Sequence, residues 1–196
     1  MTPTNTPLVA IGIPSGDMVH ADFAMSLATL CFNAGARAFI VNAKSSLVMV
    51  GRNQIVEAAR LAKATHLLFL DSDLTFPPDT LARLLAHGKD IVGGLYTQRV
   101  PPHHPLGMTL EGEHVAVTNG LRPMKSMPTG CLLIRLSIFD QLPKPWFNTG
   151  TDGDKILGED FMFCERARQA GFEIWCDGDL SRDLAHIGQK AYRLLP

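Results

Sequence analysis

The chain of 196 residues is 46% hydrophobic and 19% charged, with a formal net charge of −1. That length supports one domain with a substantial core and would cramp two, and the near-neutral balance offers no electrostatic footprint for nucleic acid or an anionic membrane. The polar start, Met1-Thr2-Pro3-Thr4-Asn5-Thr6-Pro7, lacks the basic and apolar regions of a signal peptide, and no apolar run approaches membrane-spanning length. The expectation is therefore a soluble, cytoplasmic domain with no membrane span, preceded by a flexible tail over 1–7. Cys31, Cys131, Cys164 and Cys176 form no Cys-x-x-Cys pair and have no His at zinc spacing, which predicts reduced core cysteines.

Taken in order, Leu8 to Ile13 reads as a first buried strand, broken by Pro14-Ser15-Gly16-Asp17, with Asp17 the candidate cap of a helix over 19–33. Phe23, Leu27 and Leu30 share one face of that helix, and Ala38-Phe39-Ile40-Val41 follows as a second strand left by Asn42. Such a βαβ unit implies a parallel sheet. Gly51-Arg52-Asn53-Gln54 opens a helix whose Ile55, Ala58, Ala59 and Ala62 suit close packing on a sheet. The third strand, His66-Leu67-Leu68-Phe69-Leu70, ends abruptly in Asp71-Ser72-Asp73. Pro77-Pro78-Asp79 then precedes a helix with Leu81, Leu84 and Leu85 on its apolar side, closed by Gly88. Lys89 to Tyr96 reads as a further strand. From Thr97 to Pro128 the pattern loosens, with short strands expected only near His114 to Val117, and this is the expected substrate-facing loop. Strand returns at 129–135, a short helix over 137–142 follows, 143–153 is loop, and Gly158-Glu159-Asp160 starts a helix over 161–170. Phe172 to Cys176 is a late strand, and His186 lies in the tail.

An apolar strand that stops on two carboxylates brings both to the edge of a core. Asp71 and Asp73 alternate to one side, and a tight turn would let their oxygens converge on one volume. Convergent carboxylates repel unless a cation sits between them, and a hard divalent ion, Mg²⁺ or Mn²⁺, suits oxygen ligands and is readily shared with a diphosphate. The alternative is an ordinary Asp-Ser-Asp turn that caps its own backbone.

Pro14, Asn42, Arg52-Asn53, Asp71-Ser72-Asp73, Pro77-Pro78-Asp79, Asp90-Ile91-Val92-Gly93-Gly94, Gly130 before an apolar strand, Gly158-Glu159-Asp160 and the late His186 occur in an order that resembles the GT-A glycosyltransferases, specifically family-two-like enzymes. The likeness covers roughly 9–188. It implies an α/β fold: a single GT-A-like domain over 8–190 with a Rossmann-like, mostly parallel sheet flanked by helices. Residues 8–96 would form the nucleotide-sugar and metal-binding half, and 97–190 the acceptor and catalytic half. By position, Pro14, Asn42, Arg52, Asn53 and Asp71 would bind the donor. Asp73, with Asp71 and His186, would hold Mn²⁺ or Mg²⁺, and Asp160, with Glu159 its understudy, would be the base that activates an acceptor hydroxyl. The chain departs from the pattern in having Asn42 where an acidic residue often reads the base. It also lacks the Gln-x-x-Arg-Trp motif and membrane spans of processive synthases, which favours transfer in one or a few steps.

The expected partners are a nucleoside-diphosphate-sugar donor and an acceptor of unspecified chemistry, with a homo-oligomer possible. Two other readings stay open. Asp71-Ser72-Asp73-Leu74-Thr75 also matches the start of haloacid-dehalogenase-like phosphatases, with Asp71 as nucleophile, although that motif normally follows the first strand. A degenerate GT-A domain would bind a nucleotide-sugar without turnover. A nucleotidyltransferase would need a Gly-rich, Arg-containing loop after the first strand, which Ile13 to Asp17 does not supply.

Overall fold

A computed structural model of the chain describes residues 6–113 and 119–188. The strands expected near His114 to Val117 fall outside them, as do residues 1–5 of the tail and residues 189–190 at the end of the expected domain. The first half alternates strand and helix: β1 Leu8–Ser15, α1 Ala21–Phe32, β2 Arg37–Lys44, α2 Val48–Leu61, β3 His66–Leu70. After the short β4 Leu74–Thr75 come α3 Thr80–Ala86 and β5 Ile91–Gly93. The second half holds β6 Leu121–Met124, β7 Cys131–Arg135, a 3₁₀ turn Leu136–Asp140, β8 Gly150–Asp152, β9 Lys155–Leu157, α4 Glu159–Gln169, β10 Ile174–Asp177, α5 Gly178–Asp183 and β11 Ala185–His186.

Seven strands form one sheet in the order β2-β1-β3-β7-β5-β10-β6. β1 pairs in parallel with β2 and β3, and β10 with β5, whereas β7 runs antiparallel between β3 and β5, and β6 antiparallel at the edge beside β10. The α/β sheet flanked by helices is as expected. Both reversed strands enter the sheet from the carboxyl side of the parallel strands: β6 after the long excursion that follows β5, and β7 after residues 125–130 bring the chain back from the amino end of β10. The Asp71 N–H donates to the Gly130 carbonyl (2.9 Å), which ties the start of β7 to the end of β3.

Alternation along the strands divides the core between the two faces. Ala10, Leu67, Phe69, Leu132 and Ile134 pack with α2, α4 and the 3₁₀ turn, around Phe139, Trp146, Phe147 and Phe163. Val9, Ile11, Leu68, Leu70 and Leu133 pack with α1, α3 and α5 through Phe23, Leu30, Leu81, Leu84 and Leu180. Helix α2 lies close on β1 because Gly12 has no side chain: a Cβ there would sit 2.5 Å from Ile55 Cγ2.

Several local expectations are revised. Helix α1 is preceded by His20 without a side-chain cap, while Asp17 reaches Lys44 at 3.5 Å. Helix α2 begins at Val48, so Gly51 and Arg52 lie inside its first turns rather than opening it, and Asn42 lies within β2 rather than beyond it. β6 and β8 form in stretches read as loop, and β9, in a stretch given no element, pairs with β8 as a hairpin. Cys31 is exposed, whereas Cys131, Cys164 and Cys176 are buried free thiols. Burial pushes the Cys131 and Cys164 thiols up to about 12, which leaves both inert at neutral pH. Among the described residues no helix is long and apolar enough to cross a membrane.

Candidate active site

A cleft of about 230 Å³ opens at the carboxyl ends of β1, β2 and β3. Pro14, Ser15 and Gly16 come to it from β1, Ala43 and Ser45 from the end of β2, Val48 and Gly51 from the start of α2, and Asp71, Ser72 and Asp73 from the turn after β3. In open α/β sheets this crevice is where ligands bind, because the loops diverge there and leave backbone groups facing outward.

The two carboxylates of the turn take different partners, contrary to the expectation that they converge on one cation. Asp71 is held by the Arg52 guanidinium, whose Nη2 donates to Oδ1 at 3.1 Å and to Oδ2 at 3.3 Å, and the Tyr96 hydroxyl donates to Oδ2 at 3.3 Å. Arg52 is 3% exposed and its Nη1 also donates to Glu159 Oε1, so one buried cation serves both acids. Burial alone pulls the Arg52 guanidinium down, but Asp71 and Glu159 more than offset this and hold it above its ordinary range. The Tyr96 hydroxyl, pushed well up by burial and by the Asp71 carboxylate, stays a phenol and accepts the Gly130 N–H at 3.2 Å. Gly130 is required at this spot: a Cβ there would lie 2.3 Å from the Tyr96 hydroxyl and 2.5 Å from Asp71 Oδ2.

Asp73 belongs to a second cluster. The two-residue strands β4 and β11 pair antiparallel with His186 opposite Leu74, and the Ile187 N–H donates to the Asp73 carbonyl (2.7 Å). This pairing carries His186 across more than a hundred residues of chain, setting its Nε2 3.6 Å from Asp73 Oδ2. Arg99 donates from Nη2 to Asp73 and from Nε to His186 Nε2 (3.0 Å). A guanidinium only donates, so Nε2 carries a lone pair and Nδ1–H donates to the Thr97 carbonyl at 2.7 Å. That is the tautomer a metal ligand requires, fixed by a backbone carbonyl as in metal-bound imidazoles. Asp73 and His186 thus form a two-donor set already occupied by a cationic group, while Asp71 spends its charge on Arg52. Among the described residues no three His, Cys, Asp or Glu side chains gather into a metal cluster.

The remaining candidates separate by their partners. At the start of α4, Glu159 is tied to Arg52, whereas Asp160 joins no ion pair among the described residues and accepts the Phe161 N–H at Oδ1 (2.8 Å). The Asp160 charge contributes to raising the Tyr96 hydroxyl, and the Tyr96 and His186 rings meet edge to face at a centroid distance of 5.0 Å. Pro14 lines the cleft. Asn42 does not; its amide ties β1 to β2 by donating to the Ile13 carbonyl (2.9 Å) and Ser15 Oγ (2.8 Å). Asn53 likewise turns away, donating to the Met49 and Phe147 carbonyls (both 2.7 Å) and accepting the Trp146 N–H (2.9 Å). Sequence reasoning passed over Tyr96 as strand, whereas Arg99 lies in the loop expected to face the substrate and was a candidate there for contact with phosphate or acceptor. The signal for both was their place just after Gly93-Gly94 at a strand's carboxyl end.

No protein-family model matches the chain, and no curated protein matches its sequence significantly. Solved structures do resemble it. A197 from STIV superposes with a TM-score of 0.61 at 15% identity over 97% of this chain and 98% of that one. GalNAc-T7, determined with UDP, GalNAc and Mn²⁺, superposes with a TM-score of 0.56 at 11% identity over 95% of this chain and 45% of that one, so the chain spans less than half of the GalNAc-T7 chain. At these identities the likeness is one of fold, and the chain has the GT-A-like fold shared with glycosyltransferases.

Proposed function

We propose that the protein is a metal-dependent glycosyltransferase that moves a sugar from a nucleoside-diphosphate-sugar to an acceptor hydroxyl. The observation that carries this reading is the Asp73–His186 pair, held together by β4 and β11 at a cleft outside the carboxyl ends of three parallel strands. The cleft would take the nucleotide between Pro14 and Gly51. Asp73 and His186 Nε2 would hold Mn²⁺ or Mg²⁺, with the donor's diphosphate completing the coordination, and the ion would neutralise the charge that grows on the leaving diphosphate. Arg52 pairs with both Asp71 and Glu159, so the reading gives those two a positioning role and leaves Asp160 as the base. In an inverting step Asp160 takes the acceptor proton as the acceptor oxygen bonds to the anomeric carbon, and the electron pair of the breaking bond leaves with the diphosphate.

UDP is the first nucleotide to try, since GalNAc-T7 was determined with it. A thermal-shift panel of nucleoside diphosphates with and without Mn²⁺ tests the reading. A ligand at about a hundred times its dissociation constant raises stability by roughly 2.7 kcal/mol, and the expected result is a shift that needs both components. Equal shifts without metal would remove the metal from the mechanism, and an aspartyl-phosphate on Asp71 after incubation with a phosphomonoester would replace the reading with a phosphatase.

A further inference from the structure

The Asp73–His186 pair is bridged by a group of this chain. Arg99 donates to both residues through different nitrogens, and the Thr97 carbonyl, two residues earlier, fixes the His186 ring from its other side. Tyr96 adds its ring against His186 and its hydroxyl against Asp71. Residues 96–99 therefore form a strap over the acidic turn, anchored by a buried tyrosine at one end and carrying a half-exposed guanidinium at the other. The one lone pair of His186 Nε2 is directed at Arg99 and is the lone pair a divalent ion needs, so guanidinium and metal exclude each other at His186, and both are cations drawn to the Asp73 carboxylate.

We propose that Arg99 is an internal cation that competes with the divalent metal for Asp73 and His186 and, once displaced, becomes a ligand of the donor's diphosphate. This rests on the reading of Asp73 and His186 as metal ligands. A planar guanidinium released beside the cleft that Asp73 lines is suited to bidentate pairing with phosphate oxygens. Metal and nucleotide then favour each other's binding: the metal frees Arg99 for the diphosphate, and the diphosphate holds Arg99 away from the metal ligands.

The test measures Mn²⁺ binding by the electron paramagnetic resonance of free Mn²⁺, first with the protein alone. Arg99→Ala is expected to bind Mn²⁺ about tenfold more tightly than wild type, and Arg99→Lys to fall between, because one ammonium pairs with Asp73 without also bridging to His186. With saturating Mn²⁺, Arg99→Ala is expected to bind a nucleoside diphosphate about tenfold more weakly and to lose most of the mutual enhancement. Unchanged or weaker Mn²⁺ binding by Arg99→Ala overturns the competition, and so does full enhancement in that variant. The nucleotide-free arm reads the competition by itself. Failure of every nucleoside diphosphate to bind wild type at saturating Mn²⁺ is instead the failure of the donor-site reading.

Discussion

Asp73 and Asp160 sit in clusters that differ in what already satisfies their charge, and this sets how each responds to losing it. If Asp73 is a metal ligand as proposed, Asp73→Asn removes an anionic ligand, so metal-dependent nucleotide binding and turnover should fall together, because the diphosphate is held in ground and transition states alike. Asp160→Asn keeps shape and hydrogen bonding but removes the proposed proton acceptor. Donor binding should survive while the single-turnover transfer rate drops by roughly 10²–10⁴. Isotherms and single-turnover rates on both variants check the contrast. Transfer at near wild-type rate by Asp160→Asn would move the base elsewhere, and the pairing of Glu159 with Arg52 makes that residue a poor substitute.

Among the elements, α5 has the least helix of its own and the clearest anchor. It spans Gly178–Asp183, and Asp177 caps it by accepting the Leu180 N–H at Oδ1 (2.8 Å) while Oδ2 meets His87 Nε2 at 2.9 Å beyond the end of α3. Burial alone raises the Asp177 carboxyl, but the His87 and Leu180 hydrogen bonds and the nearby His87 and Arg83 charges outweigh it and hold it below the usual carboxylate value. A depressed carboxyl binds protons less readily in the folded than in the unfolded state. Its stabilising effect is therefore complete above the ordinary aspartate value of about 3.9 and is lost as pH falls further toward the folded value. Asp177→Asn is expected to cost about 1–3 kcal/mol at neutral pH, with the gap from wild type narrowing in melts taken below about pH 4. Because β11 follows α5 directly, the same variant should also weaken Mn²⁺ binding through His186.

At the scale of the whole molecule, Arg52 joins the two halves of the chain. Its guanidinium links α2 to the end of β3 and to the start of α4, 107 residues away. The Arg52 Nε has no hydrogen-bond partner among the described residues, so the buried cation is held by its two carboxylates at the cost of one unsatisfied donor. Arg52→Ala would leave Asp71 and Glu159, both partly buried, without their shared cation. Breaking such a pair typically costs about 3–5 kcal/mol, which corresponds to a Tm lower by roughly 6–20 °C for a chain of this size. Calorimetry checks this, and adding Glu159→Gln to Arg52→Ala should recover part of the loss by removing one uncompensated charge.

The amino-acid sequence by itself determined the alternation of strand and helix through β3, the acidic turn at the end of that strand, the helix starting at Glu159 and the α/β class. These rest on local periodicity, glycine and proline punctuation and abrupt changes of polarity, all of which lie within a few residues of one another. Only the tertiary structure decided the reversed strands β6 and β7 and the partners of the acidic groups. β4 and β11 are two residues each, too short to carry a pattern, and each exists because the other satisfies its backbone. The separation of Asp71 from Asp73 was equally hidden, since Arg52 and Arg99 reach them from an interior helix position and an irregular loop. Asn53, read as a donor contact from its place beside Arg52, spends its amide on the backbone of Phe147, 94 residues on. A side chain's type can be read from sequence, but which buried group neutralises it depends on how distant segments pack.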